Sequence, residues 1–531
     1  MARAKLGLRF INSLGDKSRL KKVLLIVIDA LSARHVNAAF DSGQLPNMLR
    51  LAERGELHDE CISIFPSITP AATASIITGR YPCDHGIAGA FFYNTAEDRV
   101  NYFGDDLWAI IRKGFGEFFN DFLVRLNGEV LASETLFQRV ERAGRKAASL
   151  NYLIMRGEKE HTVDVPWLLR LFSGVPWQEK ILGPDLLCLG DFVAGSPREN
   201  RHELSAPGGP FGRFGFQDES TGAFLLELAE RNAWRDLTVA YFPDNDFDSH
   251  DEGPTSALSM LRKVDDHLGE LFEVCGGIDA LLADTTVLIT GDHAQSDLVA
   301  DKKARAIIVD DLLDEFSVVP AGEKWTSHHE LMVCPNMRAC QIYLRRGLWP
   351  DLPRIVGRAL SDPHVDQAIW RTESQDGGHC FHVATRDRGE LRFWRARPDA
   401  ARGRDVFGNS WDWAGSLAPV TGETSSSGQL GFADYPNALE RIATSFAKPA
   451  GGDLWLTAHV GHEFKLPDTA LHNAGSHGSL HKFDSASPMI FAGAPAGISL
   501  PADLRTIDTA DLCLRILGIT GQQAEVAGAA R

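Results

Sequence analysis

Three aspartates and three histidines stand at or near the ends of short apolar runs, and one threonine stands where a helix starts. Asp29 closes "KVLLIVID". Asp246 and His250 follow "LTVAYFP" within "DNDFDSH", and Asp292 and His293 close "TTVLITGDH". His477 lies in "NAGSHGSLHKFD", and Thr69 precedes Pro70 in "FPSITPAATASIITG". Carboxylate oxygen mixed with imidazole nitrogen suits Zn²⁺, with Mn²⁺ or Fe²⁺ as alternatives, whereas Mg²⁺ and Ca²⁺ favour all-oxygen shells. Taken singly, each residue has an ordinary explanation. A strand-end Asp often caps the next helix, Asp-x-x-x-His is a short spacing, and a His in a Gly/Ser-rich loop is usually solvated. Together with a hydroxyl at a helix start, they are the parts of a two-cation phosphoryl-transfer site.

These groups act together only if the elements bring them to one edge. "KKVLLIVIDAL" reads as a strand buried on both faces, because its apolar run is unbroken. "LPNMLRLAERG" reads as a helix stopped by Gly55. In the next helix Thr69 is expected at the N-cap and Pro70 at the first helical position, with Gly79 closing "AATASIITG". Further on, "LTVAYF" (237–242) is a strand and "SALSMLRKVDDHLGELFEV" (256–274) a helix. Leu258, Leu261, Val264, Leu268, Leu271 and Phe272 share one face of that helix. "TTVLITG", "GDLWLTAHVGHEF" and "SASPMIFAG" supply strands, and "TADLCLRILGI" a closing helix. This alternation predicts a doubly wound α/β sheet flanked by helices, with functional groups gathered past the carboxyl ends of its strands.

Two segments fit the rhythm poorly. Residues 100–235 read as helices and loops, an irregular excursion within a core formed by 1–300 and 456–531. Residues 301–455 read as an inserted cap on the substrate side, containing the strand "GELRFWRAR" and the flexible loop "TGETSSSGQLGF".

The formal charge of −17 over 531 residues argues against long nucleic acid or an anionic membrane as partner. A small phosphorylated substrate carries no such requirement. None of the eight cysteines forms a CxxC pair, and their scatter suggests reduced thiols. The basic first residues lack the apolar stretch of a secretory signal, and "VLLIVIDAL" is too short to span a bilayer, so a cytoplasmic location is expected. Oligomeric state leaves no mark in the sequence.

The segments "VLLIVIDAL", "LPNMLRLAERG", "FPSITPAATASIITGRYPCDHGI", "YFPDNDFDSHDEGP", "LITGDHAQ" and "GSHGSLHKFDSASPMIFAG" resemble the successive motifs of the type I phosphodiesterase/nucleotide pyrophosphatase family. That family belongs to the alkaline phosphatase superfamily. The resemblance covers roughly residues 20–90, 237–300 and 455–520, and it implies an alkaline-phosphatase-like fold. It also implies two zinc ions, one held by Asp246, His250 and His477, the other by Asp29, Asp292 and His293 with the Thr69 oxygen. Thr69 is then the nucleophile of a phosphodiester or pyrophosphate hydrolase, and it passes through a covalent phospho-threonine.

The chain departs from the family pattern at three places. It reads "TPAAT" after the nucleophile, and "GDHAQ" for a more usual "DHGM". Where the family places a phosphoryl-binding Asn after "HGI", it has Ala90, with Asn94 nearby in sequence. A lost donor of this kind costs about 3 kcal/mol in a transition state. A phosphonoacetate-type hydrolase shares this core and is the alternative. A phospholigand-binding pseudoenzyme ranks behind it, and a sulfatase is disfavoured because no C/S-x-P-x-R stands at Thr69. Among the remaining histidines, His85 reads as a turn stabiliser and His481 as a weaker candidate than His477. His328 and His329 read as surface or substrate-side residues. Phe91, Phe92 and Tyr93 read as core more readily than as a stacking platform.

Overall fold

The strand β1 (Lys22–Ile28) shows why its apolar run is continuous. Val23, Leu25 and Val27 pack into one core with Ala71, Ala72 and Ile76 and with Leu512, Cys513 and Ile516. Leu24, Ile26 and Ile28 pack into another with Leu261, Val264, Leu268 and Leu271. Both faces are covered, and each such side chain contributes about 1.5–3 kcal/mol of burial. The computed structural model describes residues 21–104, 120–164, 178–194, 208, 210–320, 323–373, 378–467 and 471–519.

Along the chain, β1 is followed by β2 (Gly55–Ile62), α1 (Thr69–Thr78), β3 (Ala147–Leu150), β4 (Leu186–Leu189) and β5 (Val193–Ala194). Then come β6 (Leu237–Phe242), α2 (Asp244–Glu252), α3 (Leu258–Val274) and β7 (Thr285–Gly291). β8 (Ala486–Ala492), β9 (Leu504–Arg505) and α4 (Asp508–Ile516) close the core. The nine strands form one sheet in the order β9-β2-β8-β7-β1-β6-β3-β4-β5. β1 runs parallel to both β6 and β7, and β3 parallel to β6 and β4. β8 is antiparallel to β7 and β2. This is the expected α/β sheet flanked by helices.

On α3 the buried face holds Leu261, Val264, Leu268, Leu271 and Phe272 as expected, and Asp265 with them. The Asp265 carboxylate accepts from the backbone N–H of Met48 at 2.7 Å and of Asn47 at 3.1 Å. It thereby satisfies the start of the helix Pro46–Ala52, whose first N–H groups lack intrahelical partners.

Three expectations are corrected. Gly55 does not stop a helix; it opens β2, where a Cβ would lie 2.1 Å from the Phe491 carbonyl oxygen. The stretch 100–235 is not merely irregular, since β3, β4 and β5 fall within it. Their apolar runs are short, and β3 and β4 take their parallel partners from distant sequence. "TGETSSSGQLGF" forms a hairpin, Gly422–Thr424 with Leu430–Phe432. Leu430 is buried and anchors it despite the polar composition.

A second sheet of eight strands is antiparallel throughout. It includes Leu331–Asn336, Ala339–Leu344 and Gly389–Arg395, and Leu454–Ala458 of "GDLWLTAHVGHEF" pairs within it rather than in the first sheet. The two sheets meet around Phe65, whose ring lies 5.0 Å from that of Trp455. Among the described residues no helix is long and apolar enough to cross a membrane. All eight cysteines are free thiols.

Candidate active site

Register brings the acids together. Ile28 of β1 lies opposite Gly291 of β7 and Phe242 of β6, so Asp29, Asp292 and the chain entering α2 leave the sheet at one edge. Asp246 sits in the first turn of α2, and His250 one turn later on the same face. His250 Nε2 is 3.3 Å from Asp246 Oδ2, and His477 Nε2 is 3.5 Å from Asp246 Oδ1. His293 Nε2 lies 3.4 Å from Asp29 Oδ1 and 3.6 Å from Asp292 Oδ2. The His293 and His477 rings stack with centroids 3.9 Å apart. All six side chains are buried.

Thr69 completes the group. The residue at the N-cap of α1 is Ile68, and Thr69 is the first residue of the helix, so its hydroxyl is not used for capping as the sequence suggested. Its Oγ1 lies 3.0 Å from His293 Nε2 instead. Gly79 closes α1 in the left-handed conformation expected of it, at φ 66°. The positive end of the α1 dipole is therefore presented beside the hydroxyl.

Each imidazole is oriented from behind. His250 Nδ1 faces the Gly475 carbonyl at 2.9 Å, His477 Nδ1 the Ser67 carbonyl at 2.8 Å, and His293 Nδ1 the Ala294 carbonyl at 3.1 Å. A carbonyl only accepts, so Nδ1 carries a proton, and in the neutral ring Nε2 keeps a lone pair aimed at the acids.

The electrostatics leave a charge to be supplied. Burial, and then the charges of Asp292 and Asp246, push the Asp29 carboxyl well above its ordinary range. Burial likewise raises Asp292. It pushes Asp246 upward too, but His250, followed by His477 and His293, outweighs it and holds that group below the usual range. Burial and the neighbouring His293 drive His477 well below the usual imidazole value. Among the described residues no Lys or Arg ion pair reaches these three acids. Asp29 Oδ1, Asp292 Oδ2 and His477 Nε2 are buried without a hydrogen-bond partner. Asp29, Asp292 and His293 offer atoms within 4.8 Å of one another, and so do Asp246, His293 and His477. Buried carboxylates that repel each other, with lone pairs converging on them, fit divalent cations.

Several supporting residues gave no clear sign in the sequence. The Tyr241 hydroxyl donates to Asp29, Asn245 donates to the Asp29 carbonyl at 2.8 Å, and Gln295 of "GDHAQ" donates to Asp246 at 2.9 Å. His472 stacks on His250 with centroids 4.0 Å apart, and its Nδ1 lies 2.8 Å from the buried Glu463. Tyr241 sits in the apolar strand β6 and looks like a packing residue, and Glu463 in the short Glu463–Lys465 strand looks like a surface acid.

The weaker candidates resolve into structural roles. Ile87 N–H donates to His85 Nδ1 at 3.2 Å, and His85 Nε2 meets Ser75 Oγ at 2.9 Å, which ties the turn to α1. His481 caps the short helix Lys482–Ser485. His329 bonds within its own exposed loop, to Thr326 at 3.1 Å. Phe91, Phe92 and Tyr93 are at least 93% buried and pack on Tyr102, Phe103 and Tyr343. Asn94 accepts from the N–H of Ala96 and Glu97, inside a hairpin turn. The loop at Ala90 is gripped by Asn336, whose Oδ1 accepts from Ala90 N at 2.8 Å and Phe91 N at 3.1 Å.

The sheet, its flanking helices and the cluster of candidate metal ligands at its edge are those of an alkaline-phosphatase-like fold. Residues 23–346 match the profile of type I phosphodiesterase / nucleotide pyrophosphatase, and the chain belongs to that family of phosphoester hydrolases. Its fold is similar to phosphonoacetate hydrolase from Sinorhizobium meliloti 1021 in complex with phosphonoformate. The TM-score is 0.55 at 17% identity, over 94% of this chain and 96% of that one. It is also similar to murine ectonucleotide pyrophosphatase / phosphodiesterase 5, an inactive form in complex with AMP. There the TM-score is 0.54 at 12% identity, with the same coverage.

Proposed function

We propose that the chain hydrolyses phosphodiester or pyrophosphate bonds of a small phosphorylated substrate, with Thr69 as nucleophile. The observation that carries this is the Thr69 hydroxyl at the start of α1, 3.0 Å from His293 Nε2 and beside five further buried acid and imidazole groups. Asp246, His250 and His477 would hold one cation, and Asp29, Asp292 and His293, with Thr69, the other. Zn²⁺ suits the nitrogen and oxygen donors best. Bound there, the cations supply Lewis-acid charge against the phosphoryl oxygens and lower the pKa of an oxygen they touch.

The protein's own groups do the rest. The Thr69 oxygen gives up its proton to solvent and forms a bond to phosphorus as the bond to the leaving alcohol or phosphate breaks, the departing oxygen taking up a proton from solvent, which gives phospho-threonine. Water then cleaves the Oγ–P bond, returns the threonine hydroxyl and releases the phosphomonoester. The helix start directs its dipole at the phosphoryl group, and the carbonyl-bound imidazoles hold Nε2 in place. Eight free thiols support work in a reducing compartment such as the cytoplasm.

Release of p-nitrophenol from the bis ester should exceed that from the monoester, and a chelator should abolish both. Phosphate release from phosphonoacetate without diester cleavage would instead assign a phosphonate hydrolase. No metal-dependent release from any of the three would make the chain a binding module.

A further inference from the structure

His477 is the one member of the cluster that neither ends a strand of the first sheet nor lies in the helix after it. Its loop is held by a hairpin turn of the second sheet. Between Leu331–Asn336 and Ala339–Leu344 the chain reverses at Met337 and Arg338, with Met337 at φ 59°. Arg338 N–H donates to the His477 carbonyl at 2.8 Å. The Arg338 guanidinium is fully buried and bonds to Asp484, to Ser296 Oγ at 2.7 Å, and to the Ala458 carbonyl at 3.1 Å. The other Asp484 oxygen accepts from Ser479 N–H at 3.0 Å and Ser479 Oγ at 2.6 Å, two residues past His477. Ser296, three residues past His293, lies 2.9 Å from Asp484 Oδ1 and 3.2 Å from the Ser476 carbonyl.

The approach is close. A Cβ on Gly478 would meet the Asn336 carbonyl oxygen at 2.6 Å, and its φ of 114° suits only glycine. The same turn holds the loop at Ala90 through the Asn336 amide.

We propose that Arg338, paired with Asp484, is a positioning residue: it sets the His477 imidazole, and through Ser296 ties that loop to the His293 loop, for cation binding. A buried ion pair is seldom a net source of stability, because desolvation offsets its attraction, so a purely structural role is the less economical reading. The inference rests on the two-cation reading above.

The test is zinc titration of the metal-free full chain by calorimetry, with unfolding followed on the same samples. Arg338→Met combined with Asp484→Asn leaves no unpaired buried charge and keeps an acceptor for Ser479. It should keep one tight equivalent and weaken the other tenfold to a hundredfold, the range seen when a group supporting a ligand is removed. His477→Ala should weaken the same equivalent. Arg338→Lys keeps the charge but loses the planar fork, and is expected to weaken it less. A folded Arg338→Met/Asp484→Asn protein that binds both equivalents with wild-type affinity overturns the positioning role, as does Arg338→Lys should only that variant fold and show no change. A wild-type chain that takes up no zinc overturns the two-cation reading itself, a separate result.

Discussion

Thr69→Ala separates the two roles open to a threonine at a helix start. Were its hydroxyl a cap, alanine would cost about 1 kcal/mol of stability and leave turnover nearly intact. The structure puts Ile68 at the cap and aims Thr69 Oγ1 at His293, 3.0 Å away. Alanine then forfeits one hydrogen bond, about 1 kcal/mol net, which in a chain of this size shifts Tm by no more than about 3 °C. As the nucleophile, the same oxygen carries the covalent route. Its removal should lower kcat/KM at least ~10⁴-fold, about 5.5 kcal/mol of transition-state stabilisation. Thr69→Ser keeps the oxygen but frees the rotamer that the γ-methyl restricts, and should lose only about 3- to 10-fold. The assay is kcat/KM on the bis-p-nitrophenyl ester, with zinc stoichiometry and a melt on each protein. An alanine variant within tenfold of wild-type turnover refutes the assignment. So does a melt many degrees lower that serine restores without restoring activity.

Two further outcomes follow from buried groups near the site. Phe92→Ala should cost about 3–5 kcal/mol in urea unfolding and leave KM unchanged, since Phe92 is fully buried against Phe103; a raised KM for aryl esters at full stability would reinstate the stacking platform. Burial depresses His85 to about 3. The unfolded chain protonates first as pH falls, so the stability His85 contributes is complete above about pH 6.5 and is lost on descending toward pH 3. His85→Gln should remove about 1.4 kcal/mol per pH unit from the slope of unfolding free energy between pH 6 and 4, and equal slopes in the two proteins would contradict this.

What the sequence showed of the site was the part attached to strong local signals. An unbroken apolar run marks a strand buried on both faces, and the residue after it is the one a parallel sheet delivers to its edge; Asp29 and Asp292 are legible for that reason. Asp246 and His250 share a helix face at a spacing of four. Tyr241 was invisible because it alternates into the core like its neighbours, and only the fold turns its hydroxyl toward Asp29. Thr and Pro in succession satisfy the N-cap pattern at Thr69, whereas the backbone geometry puts Ile68 there, one residue earlier. β3 and β4 leave little trace in the sequence, because runs of four residues carry little periodicity and their pairing is decided by distant strands.

His477 marks where local reasoning has to end. Five of the six acid and imidazole groups are placed by the register of β1, β6 and β7 and by the first turns of α2, all within the first sheet and its crossovers. The sixth sits in a loop whose carbonyl, flanking serines and glycine answer to Arg338, Asp484 and Asn336. Two of those three lie in the second sheet's hairpin turn. A sheet that reads as a removable cap therefore supplies the backbone against which a site residue is set, and cutting out 301–455 would leave the Arg338 N–H and guanidinium bonds without donors. The same turn fixes the loop at Ala90. The placement of the Ala90 loop and that of His477 thus share one mechanical support, and a change in the second sheet that shifts one should be felt by the other.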